Sequence, residues 1–392
     1  MSRGKPNNQR LNQLTKEPKK TRADSGTTYE PTMNIYKTIN DKRKRGNIPK
    51  SVIQEVKKNI ASMNFKPKKK KHPTLFWGGA TNNEEAITLD LPIIYVDAKK
   101  KGTSYIFDER TKLKPKWRLI NKSCIVVDKI TNRVLAVFIY SKDDKNIGKV
   151  LDMCENDELI KDFDKYYPKK KAQFYSGFSS KKDKETGKQI KLPHLERYGG
   201  RNYLEGLQRY LDGTVGHNIF SYYPRAVEAN TDKVFLRRLL TLYCGLYQLE
   251  KVHCPQVAKF RLDIAKKVNY IGAFTPSCPL ELCPATSMGA SINFASYSHD
   301  DSSVKGTTET IIWRPNKQSK EPYIFANSIA ELYFDINDDC MIYQVGTDSH
   351  STLDTGNHGG AGYVLLSKSI LLYDTPYTEK WYNLWRRWFK SN

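Results

Sequence analysis

Short apolar runs bounded by charged or turn-forming residues recur along this chain and fall into two groups. Each run is rich in β-branched or aromatic residues, which predicts a strand rather than a helix. The runs are Leu89–Val96, Lys116–Ile120, Ser123–Asp128 and Val134–Tyr140 in the first group, and Thr308–Arg314, Tyr323–Ala326, Ala330–Asp335, Cys340–Val345 and Tyr363–Leu366 in the second. A hairpin turn is predicted at Lys129–Arg133. Short strands at this spacing favour an antiparallel sandwich or barrel.

Helical periodicity separates the two groups of strands. Leu204, Leu207 and Leu211 predict one amphipathic helix, and two more are predicted at Val234–Leu249 and His253–Lys267. We expect these helices to pack on the outside of the sheets.

A metal-binding pattern follows the apolar stretch that begins at Ser291. His299 and Asp301 are two residues apart, and in extended backbone this spacing directs both side chains to one face, where they can bind one metal ion. A third ligand is His350, after the predicted strand Cys340–Val345, or His358, in a glycine-rich turn. We favour His350, because a regular strand fixes a ligand better than a glycine loop does. Two histidines and one carboxylate leave open positions on non-haem Fe(II), as in iron-dependent oxygenases.

The same residues carry a family resemblance. The run Ile292–Asp301, followed by Thr307–Trp313, resembles the metal-binding strand pair of Fe(II)/2-oxoglutarate dioxygenases. It is most similar to the TET/JBP-type nucleic-acid oxygenases, particularly their transposon-associated branch. The resemblance implies Fe(II) and 2-oxoglutarate as cofactors, and His299, Asp301 and His350 as the catalytic metal ligands. It also implies that the substrate is a methylated base, 5-methylcytosine or thymine, in nucleic acid.

The chain departs from this family at the position that anchors the co-substrate. Such enzymes place an arginine after the distal histidine, where it pairs with the far carboxylate of 2-oxoglutarate. The segment His358–Lys368 contains no arginine, and Lys368 is the nearest cation and the candidate anchor. If Lys368 does not serve, the co-substrate differs, its anchor comes from another strand, or the domain has lost catalysis.

Positive charge is concentrated at the N-terminus. The net charge is +23, and residues 1–72 hold 20 Lys/Arg against 5 Asp/Glu. Such a segment cannot bury enough apolar surface to fold, so it predicts a disordered basic tail that binds nucleic acid or directs the protein to the nucleus. Within it, Ser51–Met63 predicts one short helix. A purely solubilising tail and an anionic membrane surface are the alternatives.

The remaining composition indicates an intracellular protein. No stretch of about twenty apolar residues predicts a membrane span, and the N-terminus lacks the apolar core of a secretory signal. The seven cysteines are odd in number and lack a C-x-x-C pair, so we expect reduced thiols buried in the core. Spacing and apolar surroundings argue against zinc at Cys278 and Cys283.

These patterns together predict an α+β fold: a double-stranded β-helix (jelly-roll) core with flanking helices and a disordered basic N-terminal tail. Residues 1–72 form the tail and residues 73–392 the oxygenase-like domain. That domain divides into a β-rich N-terminal extension (73–200), a helical support (201–286), the jelly-roll core with the metal site (287–375) and an aromatic and basic C-terminal helix (376–392).

The sequence leaves three functions open. The first is an Fe(II)- and 2-oxoglutarate-dependent dioxygenase that oxidises a methylated base in nucleic acid, with DNA favoured over RNA and a nuclear location. The second is a protein or tRNA-side-chain hydroxylase, which needs no basic tail. The third is a non-catalytic nucleic-acid-binding protein that retains the jelly-roll, and the missing arginine favours it. The oligomeric state does not follow from the sequence.

Overall fold

A computed structural model describes most of the folded part of the chain. The described residues are 48–63, 65, 71–77, 84–99, 116–167, 181–182, 189–190, 201–211, 218–222, 226–267, 278–293, 296–299, 308–318, 323–346, 348–353 and 359–367. The chain divides into a large compact unit, residues 45–207 and 222–392, and a small one, residues 1–44 and 208–221. The description below concerns the large unit.

Five α-helices are described. They are α1 (Lys50–Ser62), α2 (Asn146–Met153), α3 (Asn156–Tyr166), α4 (Lys233–His253) and α5 (Pro255–Lys267), and a 3₁₀ turn at Val227–Asn230 precedes α4. The long helix α4 starts at a capping residue: the Asp232 carboxylate accepts hydrogen bonds from the backbone N–H groups of Val234 and Phe235 at 2.9 and 3.0 Å. None of the described helices is long and apolar enough to cross a membrane.

Seventeen strands are described. The first nine are β1 (Phe76–Trp77), β2 (Ile93–Val96), β3 (Arg118–Ile120), β4 (Cys124–Asp128), β5 (Arg133–Tyr140), β6 (Lys181–Lys182), β7 (Gln189–Ile190), β8 (Arg201–Leu211) and β9 (Asn218–Tyr222). The remaining eight are β10 (Ser287–Ile292), β11 (Ser296–His299), β12 (Thr308–Pro315), β13 (Tyr323–Asn327), β14 (Leu332–Ile336), β15 (Cys340–Val345), β16 (His350–Leu353) and β17 (Gly360–Leu366).

Two of the three described sheets face each other, and the third consists of β6 paired with β7. In the large sheet the order is β2-β4-β5-β15-β12-β17-β10-β8, and β1 pairs with β5. The second sheet has five strands in the order β11-β16-β13-β14-β3. From β10 to β17 the chain crosses repeatedly between the two, so that strands neighbouring in space are seldom neighbours in sequence.

The central strands β4, β5 and β15 of the large sheet are buried on both faces. On one face, Met341 and Tyr343 of β15 pack in a hydrophobic cluster with residues of α4 such as Leu246. On the other face, Cys340 and Ile342 pack with residues of the five-stranded sheet. Alternate residues of a strand point to opposite faces, so a strand covered on both sides is largely apolar instead of alternating.

Most of the sequence-predicted elements are confirmed. The predicted strands of both groups are present, and β15 has the predicted bounds. The predicted turn joins β4 to β5, which pair antiparallel, and Asn132 adopts a φ of 60°, which asparagine tolerates in tight turns. The helices predicted at Val234–Leu249 and His253–Lys267 correspond to α4 and α5. All seven cysteines are free and buried, as expected.

The predicted helix around Leu204 is wrong. Residues 201–211 form strand β8, which pairs antiparallel with β10 and places Leu204 opposite Gly289. Three leucines at near-helical spacing were outweighed by the hydrogen bonds that β10 offers at its open edge. The segment 201–286 therefore contributes strand as well as helix.

Folded structure begins earlier than the predicted boundary at residue 73. The helix predicted at Ser51–Met63 is confirmed as α1, and its Val52 and Val56 are buried in the same cluster as α4. The predicted N-terminal extension is also not separate from the core, because β4 and β5 join the large sheet beside β15. The predicted C-terminal helix lies outside the described residues.

Candidate metal centre

Two of the predicted metal ligands are cross-strand neighbours. Strands β11 and β16 pair antiparallel, and His299 is the direct partner of His350. Directly opposed residues of an antiparallel pair point to the same face, with Cβ atoms about 4.5–5.5 Å apart. The backbone therefore brings these two histidine positions together. Asp301, His358 and Lys368 lie outside the described residues.

The His350 side chain is buried and oriented. Its Nδ1 lies 2.9 Å from the backbone carbonyl oxygen of Asp348, so Nδ1 carries the proton that donates to this oxygen. The lone pair of the neutral ring is then on Nε2, as in histidines whose Nε2 ligates a metal. The ring of Phe325 stacks against the imidazole, with centroids 5.7 Å apart and an interplanar angle of 27°.

A buried ion pair fixes the segment that leads into His350. The Nη2 of Arg133, on β5, donates to both carboxylate oxygens of Asp348 at 3.1 and 2.9 Å. Burial raises the pKa of Asp348 above its ordinary value, although the charge and hydrogen bonds of Arg133 partly offset this effect. Arg133 thus holds Asp348, and the Asp348 carbonyl orients the imidazole two residues later.

A second carboxylate faces His350 from the large sheet. Glu309, on β12, is 1% exposed, and its Oε2 lies 3.9 Å from the Nε2 of His350. Gln344, the partner of Glu309 on β15, donates from Nε2 to the same oxygen at 2.9 Å. Sequence reasoning missed Glu309, although a charged residue inside the apolar run Thr308–Trp313 was a signal that could have identified it.

Two buried amide atoms beside this group lack partners. Asn327 is the direct partner of His350 on β13, opposite the side taken by His299. Within the described structure, neither the Nδ2 of Asn327 nor the Oε1 of Gln344 has a hydrogen-bond partner. Buried polar atoms are rarely left unpaired, so such atoms indicate a place where a polar ligand or water belongs.

The described side chains supply part of a donor set for a metal ion. An oriented imidazole, a second histidine position beside it, a facing carboxylate and unpaired amide atoms form the kind of polar environment that binds first-row divalent metals. Among the described side chains, no three His, Cys, Asp or Glu are grouped as a metal site. The His299 side chain and the whole of Asp301 fall outside that set.

The described residues do not fit 2-oxoglutarate anchored on β17. This strand reads Gly-Ala-Gly-Tyr-Val-Leu-Leu and contains no cation. The indole of Trp313 occupies the space beside Gly362: a Cβ at this glycine would lie 2.6 Å from the Cδ1 and Nε1 atoms of the ring. Trp313 in turn contacts Phe325, with ring centroids 5.2 Å apart. The interior next to His350 is thus filled with aromatic side chains along β17.

The face of the large sheet that packs against α4 and α5 carries a fully bonded polar cluster. Arg261, on α5, is 2% exposed, and its guanidinium makes three contacts of 2.8–3.1 Å with the carboxylate of Glu250, on α4. It also donates to the carbonyl oxygen of Thr308 at 3.0 Å and to the Oγ of Ser367 at 2.9 Å. Thr310 donates its hydroxyl to Glu250. This cluster ties the two helices to the start of β12 and to the residue that follows β17.

His253 has a structural setting within the core. It is the last residue of α4, and its Nδ1 and Nε2 lie 2.8 Å from the hydroxyl of Tyr343 and 2.6 Å from the carboxylate of Asp144. Burial raises the pKa of Asp144, but the hydrogen bond and charge of His253 outweigh it and leave that pKa below its ordinary value. Both nitrogens of this ring are engaged within the protein.

Comparison with known proteins gives little guidance. No protein-family model matches the chain, and no curated protein matches it significantly. Among solved structures, the chain is similar to one described as NgTET1 in complex with 5mC DNA, at 10% sequence identity and a TM-score of 0.38. The match covers 81% of this chain and 90% of that one.

Proposed function

We propose that this protein is an Fe(II)-dependent dioxygenase that acts on nucleic acid, with His299, Asp301 and His350 as its metal ligands. The observation that carries the proposal is the register of β11 and β16, which makes His299 and His350 direct neighbours. Asp301 follows His299 by two residues, so an extended backbone through residue 301 would direct its carboxylate to the same face.

The strand order supports a double-stranded β-helix as the scaffold. Strands β10, β17, β12 and β15 are adjacent in the large sheet, and β11, β16, β13 and β14 are adjacent in the other. Eight consecutive strands that alternate in this way between two facing sheets are the arrangement expected of a jelly-roll.

The chain's own residues prepare the site in advance of the metal. Arg133 fixes Asp348, the Asp348 carbonyl holds the proton on Nδ1 of His350, and Phe325 limits the rotation of the ring. A ligand held in this way loses little freedom when the metal binds. Fe(II), when bound, supplies the activation of dioxygen for oxidation of a C–H bond.

The substrate we propose is a methylated base, 5-methylcytosine or thymine, in DNA rather than RNA. The basic N-terminal segment supports a polyanionic partner and a nuclear location, because clustered lysines and arginines bind phosphate regardless of base sequence. For 2-oxoglutarate, the cationic anchor would have to be Lys368, since β17 supplies none.

One observation favours a second candidate, a nucleic-acid-binding protein without catalysis. Trp313 packs on Gly362, within the segment His358–Lys368 in which the resemblance implies an arginine that anchors the co-substrate. Such a protein would bind nucleic acid without iron and would tolerate His299→Ala.

The test is an anaerobic titration of the full-length protein with Fe(II), with and without 2-oxoglutarate, followed by aerobic incubation with methylated oligonucleotides and mass analysis of the bases. The proposal expects stoichiometric Fe(II) binding that His299→Ala and His350→Ala abolish, and an oxidised base as product. Absence of Fe(II) binding would overturn it in favour of the second candidate. Iron binding without the visible charge-transfer band of the 2-oxoglutarate complex would point to a different co-substrate.

A deletion variant distinguishes an oxygenase that acts on nucleic acid from a protein hydroxylase. Removal of residues 1–47 keeps α1 and the core but takes away most of the basic segment. An oxygenase that acts on nucleic acid is expected to lose affinity for its substrate and to show a shallower dependence of that affinity on salt. A protein hydroxylase would keep its activity.

A further inference from the structure

We propose that the amide side chains of Asn327 and Gln344 bind the hydrogen-bonding edge of a pyrimidine base between the two facing sheets. Asn327 donates to a ring nitrogen or carbonyl oxygen of the base, and Gln344 accepts from an N–H group beside it. The inference rests on the nucleic-acid substrate of the proposed function and deepens it, because it names residues that recognise the base. Neither residue belongs to the H-x-D pattern or to the basic N-terminal segment.

Both amides lie beside His350, in the space between the sheets. Asn327, on β13, is the direct partner of His350, and such partners point to the same face with Cβ atoms about 4.5–5.5 Å apart. On the facing sheet, the Nε2 of Gln344 donates at 2.9 Å to the Oε2 of Glu309, and this oxygen lies 3.9 Å from the Nε2 of His350. The two amides therefore approach His350 from opposite sheets.

Each of these amides has one bonded atom and one unpaired atom, and both side chains belong to residues that are 0% exposed. The Oδ1 of Asn327 accepts from the backbone N–H of Ala330 at 3.0 Å, while Nδ2 has no acceptor in the part of the chain that the structure describes. The Nε2 of Gln344 donates to Glu309, while its Oε1 has no donor there. The bonds that are made fix the orientation of each amide, because a flip would set like groups against each other. The site thus offers one donor and one acceptor.

A structural role accounts for only half of the Asn327 side chain. The bond from Ala330 supports the turn between β13 and β14, and an aspartate or a serine at position 327 would accept it without bringing a buried amino group. Buried polar atoms are rarely left unpaired and cost stability when they are. An unpaired atom on each of two amides that approach the same histidine is therefore expected at a ligand site rather than in a core.

The side chain next to Gln344 is small. Its direct partner on β5 is Ala136, which belongs to the hydrophobic cluster between the sheets. Other members of this cluster are large, such as Phe138, Phe325 and Phe334. The alanine occupies little of the space beside the Gln344 amide, and a planar ring needs such space.

An uncharged ligand with an adjacent acceptor and donor fits these groups. The amides carry no net charge, so they do not compensate a buried ion such as a carboxylate of 2-oxoglutarate. Cytosine offers its ring nitrogen N3 beside the N4 amino group, and thymine offers the O4 oxygen beside N3–H. A base presents this edge to a protein only after it has left the double helix, as the proposed reaction requires.

The experiment measures nucleoside binding by the full-length protein with calorimetry. Nucleosides lack the phosphates that the basic segment binds, so their affinity reports contacts to the base. Thymidine and 5-methyldeoxycytidine are expected to bind. N3-methylthymidine, in which a methyl group replaces the N–H hydrogen, should bind at least about tenfold more weakly. Asn327→Leu and Gln344→Met keep the approximate size of each side chain and should weaken thymidine binding by a similar factor.

Asn156→Leu is the matched control. Asn156 is a buried amide on α3 whose Oδ1 accepts from the hydroxyl of Tyr363 at 2.7 Å and whose Nδ2 donates to Asp157 at 3.1 Å. Its replacement removes two hydrogen bonds and should lower the stability while it leaves nucleoside affinity unchanged. Asn327→Leu removes one hydrogen bond and one unpaired atom, so its loss of stability should be smaller. Thermal unfolding measures this difference, and circular dichroism checks that each variant is folded.

The outcomes separate this inference from the proposed function. If the wild-type protein binds no nucleoside, or if Asn327→Leu and Gln344→Met bind nucleosides as wild type does, the amides hold only a buried water and the inference fails, while the Fe(II) titration still decides the proposed function. If an asparagine-containing peptide binds instead and both variants lose it, the ligand is a protein side chain and the assignment of a base fails. If nucleosides bind, both variants lose them and no Fe(II) binds, the inference stands and the protein is the non-catalytic second candidate.

Discussion

The two sides of the large sheet next to Thr308–Thr310 differ in the hydrogen bonding of their buried amide and charged groups. On the helical side, Thr308 and Thr310 join Arg261 and Glu250 in a network in which the guanidinium and the carboxylate are saturated with partners. On the inner side, Glu309 faces His350 at 3.9 Å, and the amides of Gln344 and Asn327 each retain an unpaired atom.

The contrast is between a polar cluster that ties helices to the sheet and buried amides that keep an unpaired atom, at which a ligand or water can bind. Buried ions are tolerated in a fold when hydrogen bonds satisfy them, and removal of one partner is then costly. A buried polar group left partly unsatisfied costs stability, and this cost is commonly found at functional sites. Variants on the two faces should therefore differ in what they change.

The largest effect is expected on the saturated face. Arg261→Met leaves Glu250 as a buried charge without its cation, so the free energy of unfolding should fall by about 3–5 kcal/mol. Chemical denaturation measures this, with Lys259→Met as control, since the exposed Lys259–Asp263 pair on the same helix should contribute under about 0.5 kcal/mol. If the two variants lost similar amounts of unfolding free energy, the buried Arg261–Glu250 pair would stabilise the fold no more than an exposed ion pair does.

The next largest effect concerns Arg133 and depends on pH. Arg133→Met deprives the buried Asp348 carboxylate of its partner, so the pKa of Asp348, already raised by burial, should rise further. A carboxyl whose folded pKa exceeds its unfolded value stabilises the protein below the unfolded pKa, and this stability is lost as the pH rises through the folded pKa.

Relative to wild type, the Arg133→Met protein should therefore lose stability as the pH rises from about 4 towards 7. Unfolding free energies across this range test the expectation. Arg133→Met/Asp348→Asn is the control, because without the carboxyl the added slope should vanish. A slope that persists in the double variant would assign it to another group.

A smaller effect is expected where the interior is filled. Gly362→Ala places a methyl group 2.6 Å from the indole of Trp313, and overpacking of this kind costs about 1–3 kcal/mol. Thermal unfolding measures the loss, and Trp313→Phe in the same chain should recover part of it by making room. No recovery would mean that the backbone around Gly362, rather than the indole, limits the substitution.

The smallest effect is the loss of one hydrogen bond from the saturated face. Thr310→Val keeps the shape of the side chain but removes the hydroxyl that donates to Glu250, and should cost about 1 kcal/mol. Metal affinity should not change, which chemical denaturation and a metal titration of the same protein would establish. A change in metal affinity would show that the two faces are coupled through β12.

The strands were more predictable from the sequence than the site. Cys340–Val345 could be assigned with its bounds because an apolar run, interrupted only by Gln344, lies between Asp338-Asp339 and Gly346, and a strand buried on both faces needs no alternation. The helix predicted at Leu204–Leu211 was wrong, because the spacing of the leucines is compatible with a helix and the strand depends on pairing with β10.

The short helix α2 was also missed, since eight residues carry little periodicity. Its start is marked by Asp144, whose Oδ1 accepts a hydrogen bond from the backbone N–H of Asn146.

The candidate site could be predicted only where its residues are close in sequence or follow a strand. His299 and His350 were identified in this way, and their direct pairing across β11 and β16 depends on a strand order that no local pattern encodes. Arg133 and Glu309 reach His350 from other strands, so their role depends on tertiary structure alone. Whether Asp301 and Lys368 take part stays a prediction.

The pairing of β5 with β15 has a consequence for how the protein is made. Ala136 lies opposite Gln344, so more than half of the chain separates two strands that share hydrogen bonds. Folds dominated by such distant pairs form slowly. During synthesis the edge of β5 stays unpaired until β15 has been made. A fragment limited to residues 287–375 would expose the edge of β15 and lack Arg133, and it should aggregate rather than yield a smaller working domain.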